Sequence, residues 1–111
     1  MACKMLFFDY RESEEKFFNE NKFENFEIKF FKESLNELTL NEISEEDLDS
    51  AMIISVFVTS KINDKVVSRF KNLRLIATRS TGYDHIDLNQ CVRKNIALIN
   101  EKLAELFPDA Y

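Results

Sequence analysis

Short apolar blocks alternate along this chain with polar segments that open on helix-capping residues, and that alternation limits what it can fold into. Five blocks read as strands: Lys4–Phe8, Phe26–Phe31, Met52–Val58, Arg74–Thr78 and Ile96–Ile99. Most are near-continuous apolar runs, as expected of strands covered on both faces. The segments between them carry helix start signals. Asp9, with Glu12 three residues on, opens the first, and Phe17 and Phe18 supply its apolar face. Ser44-Glu45-Glu46-Asp47 opens a second, with Ile43 and Leu48 placed as a hydrophobic staple. Asn63 opens a third bearing Val66, Val67, Phe70 and Leu73 on one side. Asp87-Leu88-Asn89-Gln90 opens a fourth, with Leu88, Cys91 and Val92 facing inward. Asn100 opens a last one, Glu101–Phe107, which Pro108 stops. Residues 32–43 read as loop or ragged helix.

Strands alternating with amphipathic helices imply an α/β fold with a parallel sheet covered on both faces. Right-handed crossovers leave few arrangements, and the expected one is a flavodoxin-like doubly wound sheet of five strands, order 2-1-3-4-5. With 111 residues, the chain 1–111 makes a single domain.

The composition removes several functions. The one glycine, Gly82, is too few for a GxGxxG fingerprint or a Walker loop, whose backbones must approach phosphate closely. No cofactor is therefore expected on this chain. A net charge of −5 opposes nucleic acid and anionic membranes. Cys3 and Cys91 form neither a disulfide framework nor a metal motif, and His85 is the single histidine, so no metal site is expected. No apolar run has the length of a membrane span, and MACKMLFFDY lacks the features of a signal peptide. These features point to the cytoplasm.

In an open parallel sheet, ligands bind beyond the carboxyl ends of the strands. Four segments fall there: Asp9-Tyr10-Arg11, Lys32-Glu33-Ser34, Thr59-Ser60-Lys61 and Arg79-Ser80-Thr81-Gly82. The last carries the glycine, two hydroxyls and an arginine. It has two readings: a small nest of backbone amides suited to a carboxylate, or a turn that needs one positive-φ residue. Shape alone favours the turn. His85 reads as a surface residue, Cys91 as an inert buried thiol, and the eleven Phe as mostly core. The acidic runs 12–15 and 45–47 read as solvated first turns of helices. A phosphorylated receiver would need an Asp where Val58-Thr59 ends the third strand. A flavin carrier would need a hydroxyl- and glycine-rich loop where Asp9-Tyr10-Arg11-Glu12 stands.

The segment TRSTGYDHIDL, Thr78 to Leu88, resembles a motif of the N-terminal domain of D-isomer-specific 2-hydroxyacid dehydrogenases, the D-lactate dehydrogenase branch in particular. MLFFDY, FEIKFFKESLN, IISVFVTSKIN and FKNLRLIATRSTGYDHIDL extend the resemblance in order over residues 4–100. The resemblance implies a flavodoxin-like substrate domain whose Arg79–Gly82 loop faces a cleft, with the amides of Thr81 and Gly82 holding a substrate carboxylate. Substrate-binding residues are thus expected at Arg79, Ser80, Thr81 and Gly82, and Asp87 is matched as the helix cap. It also implies hydride transfer between NAD and a small 2-keto or 2-hydroxy acid in the full-length family. Family members continue into a dinucleotide-binding domain that carries the catalytic Arg, Glu and His. Here EKLAELFPDAY follows instead, and neither His85 nor Arg79 matches a catalytic residue. The expectation is a substrate-domain portion that binds the acid weakly and does not catalyse alone. Its expected partner is the missing NAD-binding domain or a second copy of the chain. The alternative is a stand-alone, non-enzymatic relic that dimerises with or regulates a full-length homologue. The 101–111 tail, with Leu103, Leu106 and Phe107 on one face, is expected to be helical and to cover surface otherwise exposed.

Overall fold

The computed structural model describes residues 2–21 and 23–101. Five strands form one parallel sheet: β1 Cys3–Phe8, β2 Phe26–Phe31, β3 Ala51–Val56, β4 Leu75–Thr78 and β5 Ala97–Ile99. Their order, β2-β1-β3-β4-β5, is the doubly wound arrangement expected from the alternation. Helices α1 Glu12–Glu20, α2 Glu45–Ser50, α3 Asp64–Arg69 and α4 Leu88–Arg93 connect them. The stretch 32–43 is loop with one 3₁₀ turn, Thr39–Glu42. The expected helix Glu101–Phe107 lies, beyond its first residue, outside the described residues.

Register sorts the strand side chains into two faces. Met5, Leu6 and Phe7 of β1 pair with Ile53, Ile54 and Ser55 of β3, which pair in turn with Leu75, Ile76 and Ala77 of β4. The even-numbered positions make one face: Leu6, Phe8, Ile54, Val56 and Ile76 are buried there. Leu48 of α2, Val66 and Val67 of α3, Cys91 of α4 and the loop residues Leu35 and Leu40 complete that core. The odd-numbered positions of β1, β3, β4 and β5, with the even-numbered ones of β2, make the other face, where α1 sets Phe18 against Phe7 and Phe30, ring centroids 5.6 and 6.1 Å apart.

Three caps stand where the sequence places them. Ser44, Asn63 and Asp87 each accept a hydrogen bond from the amide three residues on. The first does not. Asp9 takes a left-handed backbone, φ 51°, and its carboxylate accepts the Thr59 hydroxyl at 2.7 Å. Arg11 is the cap instead, its amide donating to Glu14 at 2.7 Å. On α4 only Cys91 is buried; Leu88 is exposed and Val92 is 78% exposed, against the inward face expected for all three. This short helix lies over the edge strand β5, so little sheet lies beneath its flank. The phenylalanines divide as well: Phe7, Phe8 and Phe70 are buried, but Phe17, Phe23 and Phe26 are exposed around α1.

Neither acidic run is simply solvated. Asp47 is buried, and its two oxygens accept from Lys4 at 3.0 Å and Lys29 at 2.6 Å. Lys4 of β1 and Lys29 of β2, whose register partner is Leu6, lie on the face that Leu6 shares, under the first turn of α2. Burial pushes the Asp47 carboxyl up, but the hydrogen bonds from Lys29 and Lys4 outweigh it and hold the group below its ordinary value. Glu14, in the other run, is half-buried and bound to Arg79.

Candidate functional site

The segments that follow β1, β2 and β3 tie one another down at the carboxyl end of the sheet. The Asp9 amide donates to the Glu33 carbonyl at 2.9 Å, and Thr59 bonds the Asp9 carboxylate. Ser60 is buried and accepts the Leu35 amide at 2.8 Å, while Lys61 donates its amide back to the Leu35 carbonyl. An isolated parallel bridge between Ile62 and Ile86 joins the loop after β3 to the segment after β4.

The loop after β4 is held differently. The carbonyls of Ser80, Thr81 and Gly82 each have a donor: Glu101 N–H on Ser80 at 3.0 Å, Asn100 Nδ2 on Thr81 at 2.9 Å, and the Ser80 hydroxyl on Gly82 at 2.8 Å. The amides of Thr81 and Gly82 donate to none of the described residues, and both residues are exposed. Paired carbonyls beside open amides bias a loop toward anions. Gly82 does not take positive φ, so the turn reading in that form is overturned. A side chain added at Gly82 would meet nothing within 4 Å, so open space lies above the backbone.

Ser80, only 6% exposed, belongs to a chain of polar groups beneath the loop. Its Oγ lies 2.7 Å from Thr78 Oγ1, which lies 2.8 Å from His85 Nε2. One proton per hydroxyl fixes the directions. Ser80 donates to the Gly82 carbonyl, so Thr78 donates to Ser80 and His85 Nε2–H donates to Thr78. His85 is therefore a half-buried brace rather than the surface residue expected. The sequence offered only the threonine, serine and histidine within eight residues as a sign of it.

Burial pushes the His85 imidazole below its ordinary value, against a smaller opposing pull from Asp84. The native ring therefore resists a proton that the unfolded chain accepts. Stability is expected to fall as pH drops from about 7 toward 5, because the unfolded state binds more protons there. His85→Gln should flatten that slope, which thermal melts across the range will check.

Arg79 is spent on contacts with α1 and β1. Its Nη1 binds both oxygens of Glu14, at 2.9 and 2.8 Å, and its Nη2 donates to the Phe8 carbonyl. The guanidinium carbon sits 4.1 Å from the Phe7 ring centre. Of the four expected site residues, then, Thr81 and Gly82 have amides with no acceptor among the described residues, while the Ser80 hydroxyl and the two terminal nitrogens of Arg79 are engaged by the protein.

The turn after β1 leads into a helix whose first turn carries Glu12, Glu14 and Glu15, which would repel a pyrophosphate. No three His, Cys, Asp or Glu side chains among the described residues converge as metal ligands. Cys91 is buried, and burial raises its thiol above the ordinary value, as suits an unreactive core cysteine. No described helix is long and apolar enough to cross a membrane.

A parallel 2-1-3-4-5 sheet alternating with helices defines a doubly wound α/β domain. Residues 5–104 match the D-isomer specific 2-hydroxyacid dehydrogenase, catalytic domain family, and the chain belongs to that family. Among solved structures it is similar to D-lactate dehydrogenase from Aquifex aeolicus, complexed with NAD and lactic acid, at 31% identity and a TM-score of 0.74. That match covers 86% of this chain and 27% of that one. The apo D-lactate dehydrogenase of Escherichia coli matches at 20% identity and a TM-score of 0.72, over 87% of this chain and 30% of that one. The NAD+-bound 3-phosphoglycerate dehydrogenase of Entamoeba histolytica matches at 20% identity and 0.73, over 96% and 37%. At such identity the last two show the fold alone. The chain thus spans about a third of the length of these structures. No curated protein matches it.

Proposed function

We propose that this chain is the substrate-domain portion of an NAD-dependent D-2-hydroxyacid dehydrogenase of the D-lactate type. The amides of Thr81 and Gly82 receive the carboxylate of a small 2-keto or 2-hydroxy acid. Ser80, through its bond to the Gly82 carbonyl, and Arg79, through Glu14 and the Phe8 carbonyl, hold the loop in shape. The observation that carries this reading is the loop itself, where the carbonyls of Ser80, Thr81 and Gly82 are paired while the amides of Thr81 and Gly82 meet no acceptor among the described residues. The family membership and the lactate-bound relative support the choice of ligand. Hydride transfer and proton donation belong to a dinucleotide-binding domain that faces this loop. This chain alone binds weakly, since half of a two-sided cleft contributes only part of the contacts.

The reading is tested by assaying NADH-dependent pyruvate reduction with the chain alone and with a homologue's dinucleotide-binding domain added. No turnover alone and turnover on mixing is the expected pair of results. Reaction by the chain alone, or none on mixing although the two domains bind each other, would overturn it. Gly82→Ala separates binding from folding. A methyl group meets open space, so stability is expected to rise slightly, by about 0.4–1 kcal/mol. The carboxylate should bind more weakly because its approach is narrowed, and paired melting and titration curves will show both.

A further inference from the structure

Strand β2, six residues long, pairs with β1 on one side and with no described strand on the other. Its odd-numbered residues turn their backbone groups inward. The Asn25 carbonyl just before it accepts from the Cys3 amide at 2.8 Å, and the Phe31 carbonyl from the Tyr10 amide at 3.3 Å. Successive residues alternate, so Phe26, Ile28 and Phe30 turn theirs to the outer edge. Of these groups the Phe26 amide is taken by the Phe23 carbonyl, at 3.0 Å. The side chains alternate as well. Phe26, Ile28 and Phe30 lie on the face that α1 covers, where Phe26 and its neighbour Phe23 are exposed. Glu27 and Lys29, both exposed, lie on the opposite face. An edge strand this long and this apolar is a ready template for another strand.

We propose that the outer edge of β2 pairs antiparallel with β2 of a second copy of this chain, about a two-fold axis at Ile28. The sequence is self-complementary in that register. Glu27 of each copy falls opposite Lys29 of the other, and Phe26 falls opposite Phe30. The backbone agrees. Ile28 exchanges amide and carbonyl with its twin, and each Phe30 amide reaches a Phe26 carbonyl across the axis. Glu27 and Lys29 then occupy the close, non-hydrogen-bonded pairs, with Cα atoms about 4.5 Å apart, where opposite charges attract. Moving the axis to Glu27 or to Lys29 would instead put two glutamates or two lysines face to face. A lysine ordinarily blunts a sheet edge; here Glu27 answers it. Lys29 is 55% exposed while it holds Asp47, which leaves its ammonium open to a second carboxylate. A two-fold pair uses the same edge in both copies, so the assembly closes at two. The opposite edge strand, β5, has three residues and offers little to extend it. The loop after β4 takes no part, so this interface would survive failure of the proposed function.

The test is sedimentation of the chain over a range of concentrations, where a dimer in equilibrium with monomer is expected. In a mixture of differently labelled chains, nuclear Overhauser contacts should join the α protons of Glu27 in one copy and Lys29 in the other. Glu27→Lys should weaken association by about ten-fold or more, because two attractive pairs become repulsive. Lys29→Glu should do the same, and mixing the two variants should restore the dimer, since each then meets its opposite. Ile28→Pro removes an amide that faces outward, so the sheet should stay folded by circular dichroism while the dimer is lost. That variant keeps the test decisive if loss of the Asp47 bond unfolds Lys29→Glu. A chain that sediments as a monomer at every concentration would overturn the inference. So would a dimer that Glu27→Lys and Ile28→Pro both leave intact.

Discussion

Asp47→Ala is expected to destabilise the protein by about 3 kcal/mol, the low end of what removing one member of a buried ion pair does. For a chain of this size that lowers the melting temperature by roughly 10–20 °C. The loss falls mainly on Lys4. Its side chain is 11% exposed and would be left charged without a partner, whereas Lys29 at 55% can turn to water. Lys29→Ala should accordingly cost under about 1 kcal/mol. The carboxyl also leaves a mark in acid. Held below its ordinary value of 3.8, it stabilises the fold fully above that pH, and the contribution is lost as pH falls through the lower native value. The acid limb of the wild-type stability curve should therefore contain a component below about pH 4 that Asp47→Ala lacks. That window is separate from the one assigned to His85. Replacing the pair together, Lys4→Met with Asp47→Leu, should recover much of the loss, because two desolvated charges are removed at once. Denaturant titration of the three variants measures all of these differences.

Arg79→Ala is the second large effect, about 2 kcal/mol. A charge-assisted hydrogen bond contributes roughly 1.5–3 kcal/mol, and the stack on Phe7 about 0.5–2 more. Against these gains, Arg79 Nε is buried with no partner among the described residues, which lowers the net. Arg79→Lys should restore less than half, since an ammonium cannot bind both Glu14 oxygens and the Phe8 carbonyl in one plane. A double-mutant cycle with Glu14→Gln isolates the pair, and a coupling near zero would remove Arg79 from the role of strut. The strut matters to the site because it fixes the first residue of the candidate loop to α1 and to the end of β1.

What was legible in the sequence follows from which forces are local. The strands were, because each is a short apolar run whose neighbours carry caps, and β2 occupies the residues expected. The third strand ends at Val56, short of the apolar run through Phe57 and Val58, because the backbone is already turning there: the Ser60 amide bonds the Phe57 carbonyl. Capping at Ser44, Asn63 and Asp87 was legible because donor and acceptor lie three residues apart. Asp9 misled, since its carboxylate is taken by Thr59, fifty positions away. Distance in sequence also hid the Lys4–Asp47–Lys29 cluster and the Arg79–Glu14 pair. Both turn what read as solvated acidic turns into joints between elements. For the loop, sequence and resemblance together pointed to Arg79–Gly82. Neither could tell that two of these residues brace and two present amides, because that division depends on His85, Thr78, Glu14 and Asn100.

The proposed function requires that the amides of Thr81 and Gly82 receive a carboxylate. Titration of the chain with D-lactate, followed by amide nitrogen–proton spectra, tests it most directly, with the methyl ester of lactate as the uncharged control. Saturable shifts at Thr81 and Gly82 with lactate, a much weaker response to the ester, and little change around Asp47 are expected. Shifts that are absent at these two amides, or equal for lactate and its ester, would contradict it.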